Sequence, residues 1–227
     1  MGASGVAGGL TAALCAKPPR RRHGHRTRFY HRRLRGLQAQ QQRVQQHHSR
    51  RAAWRRCRVR YKQRMPAPLS DHQIRAALHH ANEIARTALA AGHHPFGALL
   101  LDADGTTVLM TQGNVSAVEH AEAVLAREAA KHFSPERLWG CTLVTTVEPC
   151  AMCAGTQYWA HIGRLVFGMS ERDLLALTGN HAENPTLDLP CREVFARGQK
   201  AVEVIGPVAA VRDEIATLHH HFWSRTA

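Results

Sequence analysis

From Ser70 onward the apolar positions recur with a helical period. Ile74, Leu78, Ala81, Ala85 and Ala88 form one stripe of a segment running from Asp71 to about Ala91. Ser70 stands where an N-cap oxygen is wanted, and Gly92 where the chain must leave the helix. The period then shortens. Gly97 to Leu101 and Val108 to Met110 are apolar runs on either side of Asp102-Ala103-Asp104-Gly105, a turn signal that predicts an antiparallel hairpin. Ala121 to Lys131 contains strong helix formers and neither Gly nor Pro. Thr142 to Val147 is rich in β-branched residues and feeds a helix through Trp159, followed by a strand at Arg164 to Gly168, which makes a β-α-β unit. A short capped helix over Ser170 to Leu177, an irregular loop over Thr178 to Leu189, a helical turn or two over Arg192 to Arg197, a strand over Ala201 to Ile205 and a helix over Val208 to Trp223 complete the pattern. Strands alternating with helices predict an α/β protein: a three-layer α-β-α sandwich whose mixed, mostly parallel five-stranded sheet carries helices on both faces. A cleft is expected near the strand ends, where two helix N-termini converge.

Composition divides the chain. Residues 1–64 hold 18 of the 30 Lys and Arg and none of the 17 acidic residues, so the rest carries 12 basic against 17 acidic side chains, a net of −5. The first segment is rich in Arg, Gln, His and Gly and lacks the periodicity needed to build a core, so it reads as a disordered basic arm. It fits a nucleic-acid-binding tail, an Arg-rich, acid-poor targeting peptide, or sequence upstream of a start at Met65, which stands where the composition changes. Residues 65–227 are 163 residues, enough for one α/β domain with a sizeable core. No apolar run approaches the length of about 20 residues that crosses a membrane. Two of the six cysteines lie in the arm, and the rest do not form a disulfide framework, so a reducing, cytoplasmic setting is expected, with organelle targeting by the arm as the alternative.

The chemistry resides in two short motifs. His120-Ala121-Glu122 opens the helix over Ala121 to Lys131, and Pro149-Cys150-Ala151-Met152-Cys153 opens the helix after the β-branched strand. Zinc takes imidazole nitrogen and thiolate sulfur, and a catalytic site uses three protein ligands with the fourth position left to water. His120, Cys150 and Cys153 form such a set, because Cys150 and Cys153 share a helix face and a helix N-terminus favours thiolate. Glu122 is not needed as a ligand, so it is the candidate for moving protons between water and a departing amine. A redox pair and a closed structural zinc site are the rivals. The latter would need a fourth ligand from His161, His181, Cys141 or Cys191, none of which has a local spacing that recommends it.

His-x-Glu with Pro-Cys-x-x-Cys is the signature of zinc nucleobase deaminases. Over about residues 70–223 the chain resembles the cytidine deaminase-like superfamily, in the branch of guanine deaminases and tRNA adenosine deaminases. Besides the zinc motifs, the resemblance rests on Pro95-Phe96-Gly97-Ala98, Gly113-Asn114 and Glu148 before Pro149. It implies that Asn114 hydrogen-bonds the substrate ring, that the backbone near Ala121 meets the oxygen replacing the amine, and that the protein is a homodimer. Phe96 and Tyr158-Trp159-Ala160 resemble the guanine deaminases, with Phe96 a candidate to stack on the ring. Ile162 to Gly168 and Val202 to Ile205 are similar to the tRNA enzymes. One departure stands out: only five residues separate Asn114 from His120, and Ala117-Val118-Glu119 replaces the family's Asp-Pro-Thr-Ala segment. The shortened loop reshapes the mouth, and the loop from Thr178 to Leu189 is the segment placed to compensate.

Charge discriminates between substrates. Polynucleotide binding draws on Lys and Arg neutralising phosphates, and a domain of net −5 is poorly suited to it. The expected activity is therefore hydrolytic deamination of a small aminated nucleobase or nucleoside, with a purine favoured. Adenosine-to-inosine editing of tRNA is the alternative, strengthened if the arm remains attached. A catalytically silent zinc-bearing partner subunit is the alternative of another class, and the presence of Glu122 argues against it.

Overall fold

The computed structural model describes residues 67–224 apart from 180 and 183, all within one compact unit, so the expectations for residues 1–64 and the boundary at Met65 lie outside the described residues. Helix α1 spans Asp71–Ala90, with Ser70 and Gln73 capping each other reciprocally. Strands β1 (Gly97–Leu101) and β2 (Val108–Gly113) form the hairpin. Helix α2 (Ala121–His132) is followed by a short helix α3 (Pro135–Gly140) that the apolar pattern did not reveal. Ser134 caps α3 and Pro135 starts it. Then come β3 (Thr142–Val147), α4 (Ala151–Trp159), β4 (Arg164–Met169), α5 (Glu171–Thr178), α6 (Cys191–Ala196), β5 (Glu203–Ile205) and α7 (Ala209–Trp223).

The sheet order is β2-β1-β3-β4-β5. The expected three layers and mixed five-stranded sheet are present: β1 alone is reversed, antiparallel to both β2 and β3, while β3-β4 and β4-β5 are parallel. The reason is the hairpin. It places β2 at the edge, so the crossover through α2 and α3 returns β3 to the far side of β1, and β1 runs against both neighbours.

Alternating side chains feed two cores. Ala98 and Leu100 of β1, with Leu143, Leu165 and Phe167, pack on α2, α4 and α6; Leu99 and Leu101, with Val144 and Val166, pack on α1 and α7. The close approach of α1 requires a glycine at the start of β1, because a Cβ on Gly97 would collide with the backbone of Ala81 and Ala85. Because β1 is antiparallel to β3, its first residues lie at the edge where β3 and β4 end. That edge holds the site.

Behind it, His219 of α7 is fully buried. Trp223 Nε1 donates to its Nδ1 at 3.2 Å, and Phe96 meets the ring at 4.9 Å between centroids. Burial, reinforced by neighbouring His94, lowers this imidazole from 6.5 to about 3. Below pH 6.5 the unfolded chain takes up a proton that the native ring refuses. The stability this ring contributes is therefore complete above 6.5 and declines as the pH falls toward 3, at about 1.4 kcal/mol per pH unit. Urea unfolding at pH 7 and pH 5 should show a loss of about 2 kcal/mol that His219→Gln lacks. Equal losses in both proteins would mean that this ring is not held neutral.

Candidate active site

Two helix N-termini present the metal-capable side chains. His120 is the N-cap of α2 and Cys150 the N-cap of α4, neither using its side chain to cap, and Cys153 lies one turn into α4. His120 Nδ1 is 3.7 Å from Cys150 Sγ and 3.5 Å from Cys153 Sγ, and the two sulfurs are 3.7 Å apart. Zinc with Zn–S of about 2.3 Å and Zn–N of about 2.0–2.1 Å at tetrahedral angles needs separations of about 3.5 Å (N to S) and about 3.8 Å (S to S). The donor set therefore fits zinc in spacing as well as in chemistry. His120 Nε2 lies 3.0 Å from the Ala117 carbonyl, and donation there leaves Nδ1 to face the sulfurs. The hydrogen bond with Cys153 lowers the Cys150 thiol to about 4 against the opposing effect of burial, which favours the thiolate form that metals take. Among the described residues, His161, His181, Cys141 and Cys191 do not join this group, so the closed structural site finds no fourth ligand there.

Glu122, 4% exposed, stands beside this set in the first turn of α2. Thr145 Oγ1 of β3 donates to its Oε1 at 2.7 Å. Burial pushes its carboxyl above the usual range despite that hydrogen bond. A carboxyl held in place yet reluctant to stay ionised is suited to taking up a proton and passing it on.

A cavity of about 240 Å³ opens next to these groups. Its wall includes Phe96, Asn114, His120, Glu122, Glu148 and Cys150. Asn114 reaches it because β2 ends at the same edge where β1 begins, and its backbone N–H donates to the Phe96 carbonyl at 3.0 Å. Ala121 is fully buried at the first position of α2 and is not part of the wall. The shortened segment before His120 closes into a tight turn through Val115 N–H to the Glu119 carbonyl at 3.1 Å, and Ala117 from it lines the cavity. Asn184 to Leu187 also contribute, so the loop expected to compensate does reach the cavity. Tyr158 and Trp159 do not. The Tyr158 hydroxyl accepts from Gln199 N–H, and Trp159 is 76% exposed on the surface.

Sequence reasoning noted Glu148 only as part of a resemblance, and the structure gives it a definite task. One oxygen accepts from the N–H of Glu171, the first residue of α5, at 3.3 Å; the other accepts from the N–H of Cys191, the first residue of α6, at 2.9 Å. A single buried carboxylate thus pins both ends of the excursion that walls the cavity. Glu148→Ala would leave two inward-facing donors unpaired and should cost about 2–4 kcal/mol in urea unfolding, with Glu148→Gln about half as damaging. Equal stability of Glu148→Ala and wild type would contradict this role. Thr145, Glu171 and Leu174 were missed too; their place appears only once β3 and β4 end side by side.

Three thiolate and imidazole donors, a buried carboxyl and an adjoining cavity at a sheet edge define a metal-dependent hydrolase centre. Residues 71–169 match the model described as the cytidine and deoxycytidylate deaminase zinc-binding region. A probable cytosine deaminase of Schizosaccharomyces pombe is 34% identical over 159 residues, 68% of this chain and 94% of that protein. A tRNA-specific adenosine deaminase of Haemophilus influenzae is 40% identical over 99 residues, 41% of this chain and 57% of its own length. A solved guanine deaminase from Nitrosomonas europaea superimposes with a TM-score of 0.55 at 24% identity, covering 71% of this chain and 90% of that one, a likeness of fold. The chain belongs to the cytidine and deoxycytidylate deaminase zinc-binding family, and is a zinc-dependent hydrolytic deaminase acting on nucleobases or nucleosides.

Proposed function

We propose that the substrate is a small, phosphate-free aminated ring, taken as the base or nucleoside, and that His120, Cys150 and Cys153 hold the zinc while Glu122 is the catalytic acid and base. One observation carries the substrate reading: among the described residues no Lys or Arg lines the cavity, whereas three carboxylates, Glu122, Glu148 and Glu171, do. Such a wall repels phosphate and accepts a neutral heterocycle. Zinc, when bound, supplies Lewis acidity that makes water nucleophilic near neutral pH. Glu122 takes a proton from that water as its oxygen bonds to the amine-bearing carbon. That proton goes to a ring nitrogen, Glu122 then carries the second proton from the new oxygen to the departing amine, the C–N bond breaks, and the products are the oxo ring and ammonia. Thr145 holds the Glu122 carboxyl in position for both transfers. Phe96 supports the ring with its aromatic face, and Asn114 hydrogen-bonds its edge. The N–H of Ala121, at the open start of α2, is assigned to the new oxygen.

The purine favoured by the sequence and the pyrimidine named for the S. pombe relative are separated by one assay. Ammonia release by the zinc-loaded full chain is expected with at least one of guanine, guanosine, adenine, adenosine, cytosine and cytidine. Release only from an anticodon stem-loop would overturn the small-ring reading. Editing of tRNA is the second reading, favoured by the 18 Lys and Arg of residues 1–64 and the H. influenzae relative. Under it, removing residues 1–64 should sharply weaken tRNA binding.

A homodimer is supported by α4, which turns Met152 (39% exposed) and Trp159 outward on one face. A cytoplasmic setting is supported by Cys141, Cys150, Cys153 and Cys191 all being free thiols. No helix among the described residues is long and apolar enough to cross a membrane.

A further inference from the structure

The polar groups of the cavity differ in what they leave for a ligand. Two of the three wall carboxylates are engaged: Glu122 accepts from Thr145, and Glu148 accepts from the backbones of Glu171 and Cys191. Glu171 is engaged only through its backbone. Among the described residues its carboxylate has no hydrogen bond or ion pair, although it is partly buried in the wall. The wall amides have spent three of their four N–H donors. Asn114 Nδ2 donates to the Ser116 carbonyl at 3.3 Å, and Asn184 Nδ2 contacts the hydroxyls of Thr178 and Thr186 at 3.4 Å each. What remains on Asn184 is Oδ1, an acceptor, and Asn114 keeps Oδ1 and one N–H. Around the metal-capable centre the uncommitted polar capacity of these side chains is therefore mainly acceptor in kind, with the Glu171 carboxylate its one charged member without a partner among the described residues.

A half-desolvated carboxylate without a donor is costly, and a ligand N–H would relieve that cost. Burial and the negative charges of Cys150, Glu122 and Glu148 raise the Glu171 carboxyl to about 7, in keeping with a group that lacks a donor in the protein itself. Its position is fixed independently of any ligand. Glu171 opens α5 behind the Ser170 cap, with its N–H on Glu148, so the side chain stands on a rigid helix start and not on the neighbouring loop.

We propose that Glu171 is a specificity-determining residue of the deaminase: its carboxylate accepts a hydrogen bond from a ring N–H or a second amino group, at an edge of the substrate remote from the amine that leaves. The preferred substrates are then rings rich in N–H donors, such as 2-amino-oxopurines and 2-amino-oxopyrimidines, and rings whose donors are blocked are rejected. The assignment rests on the small-ring reading above, and it can be tested apart from turnover.

Binding to the zinc-loaded full chain is measured by calorimetry for guanine and its 1-, 7- and 9-methyl analogues, and for cytosine and 1-methylcytosine. Each series is repeated with Glu171→Leu and Glu171→Gln, with zinc content and thermal midpoint recorded. In wild type one methylation should weaken binding about tenfold or more, the effect of losing one charge-assisted hydrogen bond. In Glu171→Leu the parent ring should already be weakened by that factor, and the same methylation should cost little more. Glu171→Gln, which keeps one carbonyl acceptor, should fall between the two, and it carries the test if Glu171→Leu does not fold. Methylation costs that are equal in wild type and variants for both rings would overturn the assignment, as would binding of neither ring. Coupled binding without ammonia release would remove the small-ring substrate reading and leave Glu171 in place. Ammonia release without coupling would do the reverse.

Discussion

Glu122→Ala should retain one zinc per chain yet lose on the order of 10² to 10⁴ in the rate of ammonia release, the range for removal of a positioned acid and base. Metal retention follows from geometry, since the three donor atoms belong to His120, Cys150 and Cys153 and lie 3.5–3.7 Å apart without help from the carboxyl. The rate loss follows from position. Glu122 is buried beside those donors, held by Thr145, and its carboxyl is shifted toward the protonated form by burial. Thr145→Val should give a smaller loss of about 10-fold, because the carboxyl survives with its orientation loosened. Metal analysis and a coupled ammonia assay on the same preparations check both. Normal ammonia release from Glu122→Ala would end the proposed mechanism.

Cys150→Ser should lose the metal and fall to background activity. Serine cannot supply a thiolate, and two remaining donors do not make a three-ligand zinc site. Cys153→Ser should do the same, whereas Cys141→Ser and Cys191→Ser should keep stoichiometric zinc. Cys141 Sγ faces the Arg137 carbonyl at 3.4 Å, and Cys191 is packed in the core at the start of α6. Burial pushes the Cys141 thiol up to about 12, which makes it a poor metal donor. Zinc lost from Cys141→Ser, or kept by Cys150→Ser, would mean that the donor set has been misassigned. Wild type treated with chelator should lose activity and regain it with added zinc.

The zinc centre was legible because its residues are local in sequence. His120 and Glu122 are two apart, Cys150 and Cys153 three apart, and each pair opens a helix after a recognisable element. The strands were legible for the same reason: Thr142–Val147 has the β-branched content of a buried strand and is buried at every position. What the pattern could not supply was long-range order. Nothing in the hairpin's sequence says that β1 and not β2 will pair with β3, and that choice makes half of the strand pairings antiparallel. Nor does sequence show that Thr145, 23 residues from Glu122, will hold it, or that Glu148 reaches Cys191, 43 residues away. The pair Tyr158 and Trp159 resembles the guanine deaminases in sequence, yet α4 turns Trp159 outward, away from the cavity.

The double grip of Glu148 has a consequence for engineering. Since one carboxylate receives the chain where α5 starts and again where α6 starts, the intervening stretch leaves the scaffold and rejoins it at nearly the same point. Such a stretch behaves as a cassette. Replacing residues 179–190 with a longer segment changes little in the closure cost, about 0.6 kcal/mol per doubling of length, while both anchors stay put. New ring preferences could be grafted there without disturbing the metal-holding turns, which makes this the economical place to diversify the enzyme.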